Sequence, residues 1–229
     1  MLEQVQASDV TLMLRMNREW VNPWLDHLLP TVTNFAAWLP LMVVAIVILV
    51  WRGGFHTRAF FTCLVLAVLC NEGLVSGPLK KLIGRPRPND VLPQVQKRTL
   101  PKATPQMLAL FQAPVVESGR VAEPGKKGHS FPSSHTANMF AAAAVACRFL
   151  RRHGLWLVGV AALVGWSRIY CGVHWPSDVL GSAVLGWLTG WFACDFFNWV
   201  WRRKGGQWFA NVYRDHPELI TKKLQRAVA

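Results

Sequence analysis

The run from Asn34 to Trp51, NFAAWLPLMVVAIVILVW, holds eighteen residues without one charged side chain. The hydrocarbon core of a bilayer takes roughly 20 helical residues, so a stretch this long and apolar is a candidate membrane span. Backbone polar groups in lipid must bond within their own segment, which makes the run a helix, with Pro40 near its start.

The same pattern recurs outward from it. Further spans are expected over about Ala59–Leu79, Ser133–Leu150, Leu155–Tyr170 and Asp178–Trp201. With 229 residues, 52% apolar content and twelve tryptophans, the chain is expected to be an all-α, polytopic membrane bundle of five to six spanning helices. Three parts follow: an interfacial amphipathic segment over 1–33, a transmembrane domain over 34–201 and a cytoplasmic tail over 202–229. In the first part Met13, Met16, Trp20, Trp24 and Leu28 fall roughly on one helical stripe, broken at Asn22-Pro23. Either a helix lies in the interface plane with its tryptophans at headgroup depth, or an amphipathic helix packs on the domain.

The net charge of +13 comes largely from basic residues flanking apolar runs, such as Arg151-Arg152 and Arg202-Arg203-Lys204. The positive-inside tendency and anionic headgroups account for these, so nucleic acid is not an expected partner. Basic turns after the first, third and fifth spans belong in the cytoplasm. That puts the long Pro- and Gly-rich connection over 80–131 on the opposite face, although Lys97, Arg98, Lys102, Lys126 and Lys127 make it basic too. A loop this long is usually functional, and residues 89–130 are expected to cover or select a head group. Cys63, Cys70, Cys147, Cys171 and Cys194 have no Cys-x-x-Cys spacing and read as small buried apolar residues. Glu3 and Asp9 precede any apolar core, unlike a cleaved signal peptide. Gly186 and Gly190 mark a helix-packing face, and Glu72, inside the second span with Asn71, reads as a structural group facing other helices.

Three polar clusters fall on the extracytoplasmic side. Lys80, Arg85 and Arg87 close the second span in an extended Arg-Pro-Arg-Pro run, which suits an anion with several oxygens or a plain charged stop to the helix. Ser133, Ser134 and His135 open the third span, where free backbone N–H groups make an anion site or a serine simply caps the helix. Arg168, His174 and Asp178 lie between the fourth and fifth spans. Asp178 follows His174 by four, so in a helical turn its carboxylate would reach the imidazole and leave one ring nitrogen free to attack; a surface ion pair is the alternative. No carboxylate cluster that would hold magnesium accompanies them, and the inventory suits metal-free phosphoryl transfer.

Lys80-x6-Arg87-Pro88, Pro132-Ser133-Ser134-His135 and Ser167-Arg168-x5-His174-x3-Asp178 together resemble the three-part signature of the type 2 phosphatidic acid phosphatase (PAP2) superfamily, integral-membrane lipid phosphate phosphatases. The resemblance covers about residues 80–178. It implies that His174 is the nucleophile forming a phosphohistidine, that Asp178 orients it, and that His135 protonates the leaving group and then activates water. Lys80, Arg87, Arg168, Ser133 and the backbone N–H of Ser134 would hold the phosphate, without metal or cofactor. The family more often has glycine where Ser134 stands; the N–H survives, but a tighter cradle would alter which head group fits. Arg85 is an additional supporting cation.

The expected substrate is a membrane lipid phosphate, first of all undecaprenyl diphosphate, then phosphatidylglycerophosphate, phosphatidate or lipid A phosphate. The expected setting is a bacterial inner membrane with the site on the periplasmic or extracellular side. A non-catalytic lipid-phosphate-binding membrane protein is the competing reading, and a vanadate-dependent oxidase a third that the spans argue against. Nothing in the sequence specifies an oligomeric state.

Overall fold

The computed structural model describes residues 2–123 and 128–220. Helix α1 (Leu2–Leu14) passes through a π-helical turn, Arg15–Glu19, and α2 (Pro23–Thr33) follows. Asn22 starts α2 by accepting the Leu25 N–H at 2.8 Å, with Pro23 in the first turn, where a missing donor costs nothing. Asn34 then caps α3 (Phe35–Arg52). Helix α4 (Phe55–Cys70), a π segment (Asn71–Ser76) and α5 (Gly77–Ile83) make one rod of 29 residues. The remaining helices are α6 (Ser134–Leu150), α7 (Leu155–Tyr170), α8 (Pro176–Trp208) and α9 (Ala210–Asp215).

Three of these stretches are long and apolar enough to cross a membrane: α3, the α4–α5 rod and α8. Helices α6 and α7, of 17 and 16 residues, are each about 25 Å long. The buried side of α6 is largely alanine, which lets α8 approach closely. A Cβ added at Gly186 would stand 2.1 Å from the Ala137 carbonyl oxygen, and one at Gly190 2.4 Å from that of Ala141. The glycine pair is therefore a packing face, set against alanines at the same spacing.

Helix α8 runs on past Trp201, the end expected from hydropathy, because Arg202 to Trp208 remains helical after apolarity ceases. The chain then folds back through α9. Leu219 is buried with Ala59 and Trp201, and the Trp201 Nε1–H donates to the His216 carbonyl at 2.8 Å. Part of the expected tail is thus packed against the bundle, and residues 221–229 lie outside the described residues.

The all-α expectation needs one correction. Within the long connection, β1 (Gln96–Thr99) pairs antiparallel with β2 (Val115–Ser118). This hairpin is fastened to the turn between α7 and α8: the Arg98 N–H bonds the Cys171 carbonyl and the Asn89 N–H bonds that of Gly172, both at 3.2 Å. Gly172 has φ +77°, and a side chain there would strike the Gln96 carbonyl. Lys126 and Lys127 lie outside the described residues.

The N-terminal segment joins the same cap. Met13 packs with Val95, Ile169, Trp175 and Val179, while buried Asn17 donates to the carbonyls of Gln96 and Tyr170, each at 2.7 Å. Trp20 and Trp24 stay exposed. The segment therefore packs on the domain and still presents its tryptophans outward. Arg98, almost fully buried, is neutralised by Asp26 at 2.6 Å and lies over the Tyr170 ring, as a buried guanidinium must be paired.

Candidate active site

Each cluster is delivered by the end of a helix. Helix α5 stops at Ile83, and the following Arg85-Pro86-Arg87-Pro88 run is held extended by its neighbours: the Ser130 N–H bonds the Arg85 carbonyl at 2.6 Å and the Trp175 Nε1–H bonds that of Pro86 at 2.9 Å. Ser134 and His135 form the first turn of α6. Arg168 lies in the last turn of α7, and His174 stands just before Trp175 and Pro176, where α8 begins.

His174 is 3% exposed. Its Nδ1 lies 2.7 Å from the Ser130 carbonyl oxygen, a bond that places the proton on Nδ1 and leaves Nε2 as the unprotonated nitrogen. Burial is the main reason its imidazole is pushed well below the ordinary histidine value. The charges of Arg168 and Arg87 add to this, the Ser130 bond opposes it, and His135 contributes a smaller push downward. The guanidinium groups at 168 and 87 and the imidazole at 135 are thus all within electrostatic range of His174.

His135 stacks on Phe35, ring centroids 5.0 Å apart and planes 19° from parallel, and feels the charges of Arg168, Lys80 and Arg87. Arg168 donates from Nη1 to Thr33 Oγ1 at 2.9 Å, while its buried Nε has no hydrogen-bond partner among the described residues. A buried, unsatisfied guanidinium N–H is what an anion site needs to offer. Lys80 Nζ donates to Ser134 Oγ at 2.5 Å, and the same hydroxyl faces Glu72 Oε2 at 3.4 Å. Glu72 also accepts from Asn138 Nδ2 at 2.7 Å, so it borders the cluster. A cavity of about 270 Å³ opens beside these groups, walled by His135, Arg168, Thr33, Phe35, Thr99 and Val173.

Two expectations change. Asp178 does not meet His174, because His174 precedes the N-cap of α8 and the two share no helical turn. The Asp178 carboxylate instead takes the Trp175 N–H at 3.0 Å, the Ser130 hydroxyl and Arg85 Nη1 at 2.5 Å. It reaches the imidazole through Ser130, whose carbonyl bonds Nδ1. Ser133 is fully buried: its N–H donates to Ser182 Oγ at 2.7 Å and its Oγ accepts from Thr136. That arrangement takes its N–H away from any anion and leaves only the hydroxyl hydrogen to offer one. Ser130 has no signal in the sequence, since a backbone carbonyl leaves no signature, and Arg85, legible there only as a supporting cation, is bound to Asp178 and Asp9.

Residues 60–202 match the family model described as the PAP2 superfamily. The chain belongs to that superfamily. Among PAP2 relatives, it is 24% identical over 198 residues to the lipid A 4'-phosphatase of Bacteroides thetaiotaomicron, covering 83% of this chain and 77% of that protein. It is 40% identical over 70 residues to the undecaprenyl-diphosphatase of Sulfolobus acidocaldarius, covering 30% of this chain and 32% of that protein. Several of the curated relatives are thus matched over about a third of their length. Among solved structures, LpxE of Aquifex aeolicus superposes with a TM-score of 0.56 at 25% identity, over 80% of this chain and 93% of that one. Together with the apolar helices, these likenesses make the PAP2 chain an integral membrane protein.

Proposed function

We propose that this PAP2 chain is a lipid phosphate phosphatase that works through a phosphohistidine without metal. His174 Nε2 attacks phosphorus, the bond to the leaving oxygen breaks, and His135 delivers a proton to that oxygen. His135 then takes a proton from water as it attacks phosphorus, the P–N bond breaks, and inorganic phosphate leaves. Lys80, Arg87 and Arg168 neutralise the phosphoryl oxygens throughout, together with the Ser134 N–H and the Ser133 hydroxyl. Asp178 orients His174 through Ser130. The observation that supports this reading is a buried histidine whose Nδ1 is already occupied, adjoining a cavity walled by Val173, His135 and Arg168, whose buried Nε has no hydrogen-bond partner among the described residues.

Undecaprenyl diphosphate is the first-choice substrate, followed by lipid A phosphate, phosphatidylglycerophosphate and phosphatidate. Helices α6 and α7 complete five spans with α3, the α4–α5 rod and α8. The site faces the periplasm or exterior of a bacterial inner membrane. Purified protein in detergent should release phosphate from at least one of these four lipids, and a chelator should leave the rate unchanged. No release from any of them, or release abolished by the chelator, refutes the proposal.

The protonation state of the nucleophile gives a pH test. His174 attacks only when neutral, and its environment disfavours the cation, so lowering the pH through 6.5 should not yet silence it. The acid limb of kcat/KM is expected below pH 6.5. A limb at or above that value contradicts the assignment.

A further inference from the structure

Helix α1 carries an acid that the phosphoryl chemistry does not account for. Asp9 is 4% exposed, and a carboxylate that deep needs partners. It has three. Its Oδ2 pairs with Arg85 Nη2 at 2.6 Å and accepts from the Ser177 hydroxyl, and its Oδ1 accepts the Ser177 N–H at 2.9 Å. Ser177 lies in the first turn of α8, where backbone N–H groups have no partner within the helix. Asp9 therefore caps α8 from a helix 168 residues away in sequence.

The same guanidinium carries the contact onward. Arg85 Nη1 donates to Asp178 Oδ1 at 2.5 Å and to Ser177 Oγ at 2.8 Å, and its plane lies over the Trp175 ring. Arg85 thus grips Asp9 with one arm of its rigid fork and Asp178 with the other. Asp178 takes the Ser130 hydroxyl, and the Ser130 carbonyl bonds His174 Nδ1. In the path Asp9–Arg85–Asp178–Ser130–His174 every member is buried except Arg85, whose side chain is 27% exposed. Were Asp9 uncharged, Arg85 would keep Asp178 as its one anion but lose the second hold that fixes its fork plane, so Asp178 and, through it, Ser130 would shift with the guanidinium.

We propose that Asp9 is a positioning residue for the nucleophile, fixing the His174 ring through Arg85, Asp178 and Ser130, so that α1 is part of the working site. The inference rests on the reading of His174 as nucleophile. It concerns the rate of the chemical step more than substrate capture, because Asp9 touches none of the groups assigned to hold the phosphate.

The test compares wild type, Asp9→Asn, Asp9→Glu and His174→Ala in detergent, with undecaprenyl diphosphate and phosphatidate as substrates. Asp9→Asn is expected to lower kcat by roughly ten- to a hundredfold while KM stays within about twofold, as misplacing a reacting group does. Asp9→Glu, which keeps the charge, should recover a substantial part of the loss. If wild type releases no more phosphate than His174→Ala, the reading of the site fails and takes the inference with it. If His174→Ala is inactive but Asp9→Asn keeps the wild-type kcat, or loses in KM alone, the inference fails and the reading stands. Should Asp9→Asn melt early, Ser177→Ala serves in its place, since it removes the hydroxyl that bonds both Asp9 and Arg85 and no charge. A drop of roughly threefold in kcat is expected there, and a wild-type kcat overturns the inference.

Discussion

His174→Ala is expected to lower phosphate release by on the order of 10⁴-fold or more, to the level of the uncatalysed background with every lipid tried. The expectation is this large because the imidazole is proposed to form a bond to phosphorus, a role no neighbour is assigned: Ser130 and Asp178 are occupied with one another, His135 serves the leaving oxygen and the water, and Lys80, Arg87 and Arg168 are cations. Binding should survive. Lys80, Arg87 and Arg168 remain, so the variant should still bind inorganic phosphate within a few-fold of the wild-type affinity. In the wild type, rapid quenching should trap phosphate on the protein in a linkage stable to base and labile to acid, absent from the alanine variant. A variant that released phosphate at the wild-type rate would remove the covalent mechanism altogether.

The second large effect is on folding. Gly186→Val should separate α8 from α6, because even one carbon at this position meets the Ala137 carbonyl oxygen at 2.1 Å, and a backbone atom in a packed helix cannot yield. Overpacking of this kind costs about 3 kcal/mol or more, a large part of the stability of an ordinary domain. Gly159 supplies the comparison: it lies on exposed α7 surface with nothing within 4 Å of an added Cβ, so Gly159→Ala should melt with the wild type. The thermal midpoints of the two purified variants in the same detergent check this. Equal midpoints would mean that α6 and α8 do not meet as described.

Apolar runs bounded by arginine turns located the helices closely, and α7 begins and ends where hydropathy places it, at Leu155 and Tyr170. Hydropathy failed where a helix continues after its apolar content stops, as α8 does beyond Trp201. The hairpin was hidden for a related reason: Gln96-Lys97-Arg98-Thr99 shows no apolar alternation, and the one residue it buries is an arginine. Within the candidate site, the side chains that bear charge were legible as types and as an ordered set. Their connections were not. The spacing of His174 and Asp178 suggested a direct pair, but an i, i+4 contact requires both residues inside one helix and Pro176 starts α8 between them. Asp9 offered no signal, since a single acid before the first apolar run has an obvious solvated alternative and its partner Arg85 lies 76 residues on.

The hairpin has a practical consequence for anyone wishing to trade head-group preference between relatives. Its first strand, through Arg98, and Asn89 are stitched to Tyr170, Cys171 and Gly172, the residues that lead straight into His174. Grafting the whole connection from another phosphatase would therefore disturb the nucleophile as well as the selectivity, and a dead chimera would say nothing about recognition. The informative graft is the distal arc from Lys102 to Ala113, which can be exchanged while both strands and their anchors stay native.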